Sequence, residues 1–120
     1  INRDDLLSRF GVQEIERLEA NIRNQTATQT AIDDAVNSVN SYISVRYQLP
    51  LPFVSVDLQR ACAIIARYYL YKDKPTETVR RDYEDVVVWL KDIASGKAVL
   101  PISNTEIQQT THFNTGALVI

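Results

Sequence analysis

Reactive side chains are scarce in this chain: 120 residues include one cysteine, one histidine, no methionine and three isolated glycines. A lone cysteine, Cys62, forms no internal disulfide, and one Cys with one His cannot complete a triad or a His/Cys metal site within one chain. Gly11, Gly96 and Gly116 stand far apart, so there is no glycine-rich phosphate loop. No apolar run approaches the roughly 20 residues that cross a bilayer. Asp4 and Asp5 stand where a signal peptide would be basic and then apolar. A formal net charge of −2 gives no support to a general nucleic-acid surface, which is normally basic. The missing methionine leads to the expectation that translation starts upstream of Ile1. The acidic pairs Asp4-Asp5 and Asp33-Asp34 each fall in the first turn of an expected helix, where the dipole accounts for them without catalysis. Enzyme activity, cofactors and membrane association are therefore not expected.

What the chain does have is helical periodicity. Its 45% hydrophobic and 23% charged composition is that of an ordinary globular domain with a modest core. Asn2 reads as an N-cap, and Leu6, Leu7 and Phe10 share one face before Gly11 stops the turn. Val12, Ile15, Leu18 and Ile22 recur at helical spacing and predict a second short helix. Asn21 to Gln29 is polar and turn-favouring, and predicts a loop. Thr30 with Asp33 resembles a capping box that opens a helix over Thr30 to Tyr47, with Ile32, Ala35, Val36, Val39, Tyr42 and Ile43 on one face. The opposite face, Asn37, Ser38, Asn40, Ser41 and Ser44, is small and uncharged; it is either a solvated face or one that packs against a neighbouring subunit.

Pro50 and Pro52 fix their own φ, remove two amide donors and keep any helix from crossing Leu49 to Pro52. Ser55 then caps a helix to Tyr71 with Asp57 in its first turn. Ala61 to Ala66 are six consecutive apolar residues, so they run right round that helix and predict packing on several sides. Thr76 caps a last helix to Ser95, whose stripe is Val79, Tyr83, Val86, Val87, Leu90, Ile93 and Ala94, with Gly96 as a natural C′ residue. The fold expected is all-α: a small bundle of two short and three longer helices over residues 1–98, with an extended tail over 99–120. That tail alternates apolar and polar stretches. Strand addition to a partner, a docking arm and a disordered end all fit it.

Six tyrosines are the most informative side chains left. Tyr69 and Tyr83 face the apolar stripes, whereas Tyr47, Tyr68 and Tyr71 suit a subunit interface together with Arg46, since Tyr and Arg are enriched at interfaces. Trp89 lies off the stripe's centre and suits a core edge or an interface. An aromatic-basic groove for single-stranded nucleic acid is disfavoured by the acidic balance.

Several weak patterns occur together in one order: Arg46-Tyr47-x-Leu49-Pro50-Leu51-Pro52, Arg60-Ala61-Cys62, Ile65-Ala66-Arg67-Tyr68, Leu70-Tyr71 and Val79-Arg80-Arg81-x-Tyr83-Glu84-Asp85. Asp4-Asp5-Leu6, Arg9-Phe10-Gly11 and Leu90-x-x-Ile93-Ala94-x-Gly96 flank them. In these the chain, over roughly Ile1 to Val99, resembles the Mu-like prophage family of head-tail connector (head completion) proteins of tailed bacteriophages. The resemblance implies a structural virion protein at the head-tail junction, present in the host cytoplasm before assembly. It implies a homo-oligomeric ring, commonly of twelve subunits, between the portal protein and a tail-side neck or tail terminator protein, with genomic DNA passing through the lumen. It also makes the tail a portal-docking arm, with Val99, Leu100, Ile102, Phe113, Leu118, Val119 and Ile120 as its apolar contacts. The alternative is a soluble adaptor module that holds a partner's peptide or helix beside the proline arm.

Overall fold

The computed structural model describes residues 1–101. Ile102, Phe113, Leu118, Val119 and Ile120, named above as docking-arm residues, lie outside that range. Five helices make up the fold, α1 (Arg3–Phe10), α2 (Val12–Ile22), α3 (Ala27–Ile43), α4 (Val56–Leu70) and α5 (Glu77–Ser95), and no strand occurs among the described residues.

Short-range chemistry sets most of the boundaries. The Asn2 side chain accepts from Asp5 N–H while the Asp5 carboxylate accepts from Asn2 N–H, a reciprocal capping box at the start of α1. Ser55 and Thr76 cap α4 and α5 by accepting from Leu58 N–H and Val79 N–H, each at 3.2 Å. Gly96, at φ 87°, ends α5 in the left-handed region that glycine adopts without strain.

The predicted Asn21–Gln29 loop is too long. α2 continues to Ile22 and closes with Arg23 in the left-handed region, and α3 already begins at Ala27, so Thr30 is an interior residue and not a cap. The turn between them is tightened by the Asn24 carboxamide, which accepts from both the N–H and the hydroxyl of Thr26 at 2.9 Å. Burial of Ala27, Thr28 and Ala31 extends the apolar face of α3 backwards and outweighs the polar composition of the segment. At its other end α3 stops at Ile43, and Ser44 to Arg46 form a turn before Tyr47. The proline arm follows, with Leu49-Pro50 in the cis form and Leu49 and Leu51 half-buried against the core.

The core is one cluster in which Leu6, Ile15, Ile32, Ile43, Ile65, Leu90 and Ile93 are essentially without solvent contact. α3 and α4 form its centre, and each packs against all four other helices. On α4, Ala61 and Ala63 to Ala66 are buried and Cys62 is half-buried, as six successive apolar residues require when a helix is covered around most of its circumference. α5 packs on the α3–α4 pair along one side. α1 and α2 lie against the end where α3 begins and α4 finishes: Glu19 accepts from the Thr28 hydroxyl, and Glu14 is bound by Arg67 and Tyr71. The proline arm, the start of α4 and the close of α5 occupy the opposite end.

Candidate assembly surfaces

At that opposite end, a hydrogen bond ties the last described residues to the body. Leu100 is buried in the core, and its N–H donates to the Tyr47 hydroxyl at 3.0 Å. Tyr47 is half-buried and packs on the core, so its ring fills space while its hydroxyl holds the backbone of residue 100. Arg46 is exposed, and its guanidinium lies against the Cα of Gly96, where a side chain at residue 96 would collide with it. A cation there also faces the negative end of the α5 dipole. Val99, between these contacts, is 50% exposed.

The other candidate interface residues are drawn into the protein's own packing. Tyr68 stacks on Tyr83 with ring centroids 3.9 Å apart and planes 7° from parallel, and both are half-buried. Burial, with neighbouring tyrosines adding to it, raises the Tyr83 phenol above its ordinary pKa. The Tyr71 hydroxyl donates to Glu14 at 2.7 Å, and burial followed by that carboxylate's proximity raises its pKa as well. Trp89 is half-buried and packs at the edge of the core. Arg46, Tyr47, Tyr68, Tyr71 and Trp89 therefore do not form one continuous patch: Arg46 and Tyr47 lie at the proline-arm end, and Tyr71 at the α1–α2 end.

Two features escaped the sequence reading. One is Arg67, whose Nε donates to Glu14 at 2.8 Å and whose Nη2 donates to the same carboxylate at 3.2 Å, while Nη1 lies 3.6 Å from Asp82. The other is a set of exposed valines, Val45, Val54 and Val56, at 65%, 51% and 69% exposure. Their only sequence signal is position: Val54 and Val56 flank the cap residue Ser55, and Val45 sits on the turn that ends α3, where no helical face collects them.

No group of three or more His, Cys, Asp or Glu side chains converges on a possible metal position among the described residues. Cys62 is held in its neutral thiol form by burial, which raises its pKa. No described helix is long and apolar enough to cross a membrane. What the described residues display is packing, hydrogen bonding and charge pairing.

The model of the family described as bacteriophage Mu, Gp36, matches residues 1–117, so the likeness runs well past Val99 into the C-terminal segment. Among curated relatives, the Mu-like prophage FluMu protein gp36 of Haemophilus influenzae is 35% identical over 122 residues, covering 98% of this chain and 85% of the relative. Gene product J of Escherichia phage Mu is 34% identical over 74 residues, covering 62% of this chain and 52% of its own length. The chain therefore belongs to the bacteriophage Mu Gp36 family and is a head-tail connector, a structural protein of the virion's head-tail junction.

Proposed function

We propose that this connector works as a homo-oligomeric ring, of twelve subunits, seated on the portal protein after packaging and offering its far side to a neck or tail terminator protein. Genomic DNA passes through the lumen without being gripped. A net charge of −2 suits that role, because a wall that does not neutralise phosphates releases few counterions and lets the duplex slide. Residues 99–120 act as the docking arm toward the portal, rooted at Leu100, with Arg46, Tyr47, Tyr68, Tyr71 and Trp89 contributing to contacts between neighbouring subunits. The observation that carries this reading is the family match across residues 1–117, which includes most of the arm as well as the helical body.

Imaging of intact particles, paired with mass measurement in solution, tests it. The expected result is a ring of this protein at the neck, and a subunit that is monomeric alone but assembles when portal rings are added. A protein that stays monomeric beside portal rings and is missing from purified necks sinks the proposal and favours the adaptor module.

A further inference from the structure

α1 and α2 form a hairpin that is attached to the other helices more sparingly than those helices are to one another. Both touch α3 and α4 at a few places and neither packs on α5, whereas α3, α4 and α5 share far more extensive contacts. Of the buried apolar side chains only Leu6, Ile15 and Leu18 come from the hairpin; the others lie between Ala27 and Leu100. The covalent link is local as well. Residues 23–26 join α2 to α3, Arg23 takes a left-handed φ of 62°, and the hydrogen bonds of Asn24 in this turn reach no further than Ala27. Glu19 accepts from Thr28 across the turn but also pairs with Arg3 inside the hairpin, so it keeps a partner if the hairpin moves.

Arg67 of α4 fastens the hairpin. Its side chain is only 16% exposed, and its Nε and Nη2 donate to Glu14 of α2 at 2.8 and 3.2 Å. Tyr71 donates to the same carboxylate, and Arg17 donates to the Tyr71 hydroxyl. A partly buried guanidinium stripped of its carboxylate is costly, which would normally hold such a hairpin shut. Here a second carboxylate is already in place. Asp82 lies 3.6 Å from Nη1, beyond hydrogen-bond length, and it belongs to α5, which stays with α4 when α1 and α2 move. A guanidinium with one acid in contact and another just out of reach has two positions, one for each state of the hairpin.

We propose that α1 and α2 form a strap that opens as a unit from the body of α3, α4 and α5, turning about residues 23–26, and that Arg67 is its two-position clasp, held by Glu14 when the strap is closed and passing to Asp82 when it opens. The motion belongs to a single subunit and stands whatever that subunit assembles with.

Native-state amide exchange on the full chain tests it. Helices of 8 and 11 residues do not hold themselves together in water, so their amides lose protection when the strap opens. In wild type, the Ile15 and Leu18 amides should share one opening and exchange at least about tenfold faster than Ile64 and Ile65. Asp82→Asn removes the acceptor of the open state while costing the closed state only a longer contact, so it should slow Ile15 and Leu18 by about fivefold without slowing Ile65. An Asp82 that merely braces the closed form gives the opposite sign, because its loss then speeds these amides. Asp85→Asn removes the same charge from an exposed position of α5 with no ion pair among the described residues, and should leave Ile15 and Leu18 within about twofold of wild type. Strap amides that exchange no faster than Ile65 overturn the proposal. So do strap amides that fail to slow in Asp82→Asn, or that slow as much in Asp85→Asn. If thermal unfolding shows that Asp82→Asn does not fold, Asp82→Ser takes its place and is read in the same way.

Discussion

Arg67 joins four of the five helices through one side chain. It projects from α4, pairs with Glu14 of α2 and Asp82 of α5, and lies over the Phe10 ring of α1 at 4.4 Å from its centroid. The Glu14 carboxylate receives three donors in all, two from the guanidinium and one from Tyr71. Burial works against ionisation of Glu14, but hydrogen bonds from Arg67 and Tyr71 and the positive charge of Arg67 outweigh it, so its pKa falls below the ordinary 4.5. Glu19 is lowered mainly by its hydrogen bonds from Arg3, with burial opposing and Thr28 adding to the effect.

A carboxylate that binds its proton less readily when folded than when unfolded stabilises the fold above its unfolded pKa, and that contribution fades as pH falls through the folded value. Denaturation midpoints should therefore hold steady around neutrality and drop once the pH falls below about 4.5, the ordinary value for these two glutamates. Glu14→Gln leaves partly buried donors poorly satisfied; it should cost about 1 kcal/mol near neutrality and flatten the acid limb. Urea titrations of both proteins across that range check it, and an acid limb as steep in the variant as in wild type would contradict the role of Glu14. None of this was legible in the sequence. Glu14 lies on α2 between the apolar positions Val12 and Ile15, and its partner Arg67 lies 53 positions away.

Helix ends were the most readable elements because caps are local. Asn2, Ser55, Thr76 and Gly96 each behave as their side chains, or the lack of one, dictate. The start of α3 was misplaced for the complementary reason. Thr26 makes no side-chain cap bond, so the boundary follows burial of Ala27 and Thr28 against other elements, a tertiary fact that no local pattern carries. The all-round apolar run of α4 did identify the central element. Ile65 is 1% exposed on it, so Ile65→Ala should lose about 2–5 kcal/mol, whereas Val88→Ala on the exposed side of α5 should stay within about 0.5 kcal/mol. Comparable losses at the two positions in denaturation curves would show that α4 is not the centre of the core.

For the whole molecule, the sequence placed a boundary between body and arm at residue 98, and the structure shows Leu100 buried in the core beneath the Tyr47 hydroxyl. Proline spacing located the arm-like segment before α4, but only the fold brings Tyr47 and Leu100 together across 53 positions. Tyr47→Phe removes one hydroxyl and leaves the Leu100 N–H without its acceptor, at a cost of about 1–3 kcal/mol. Amide exchange at Leu100 should accelerate in this variant while exchange in the middle of α4 changes much less; uniform acceleration would mean that the contact supports the entire fold. Tyr68 and Tyr71, expected from their residue type at a subunit interface, also have partners within their own chain, Tyr83 and Glu14.

Trp89 is the only indole in the sequence, and it is half-buried at the core's edge on α5. Its emission colour depends on how much water surrounds the ring. The protein thus carries a built-in optical gauge: a neighbour that dries this position shifts the fluorescence to shorter wavelengths, and one that settles elsewhere leaves it unchanged.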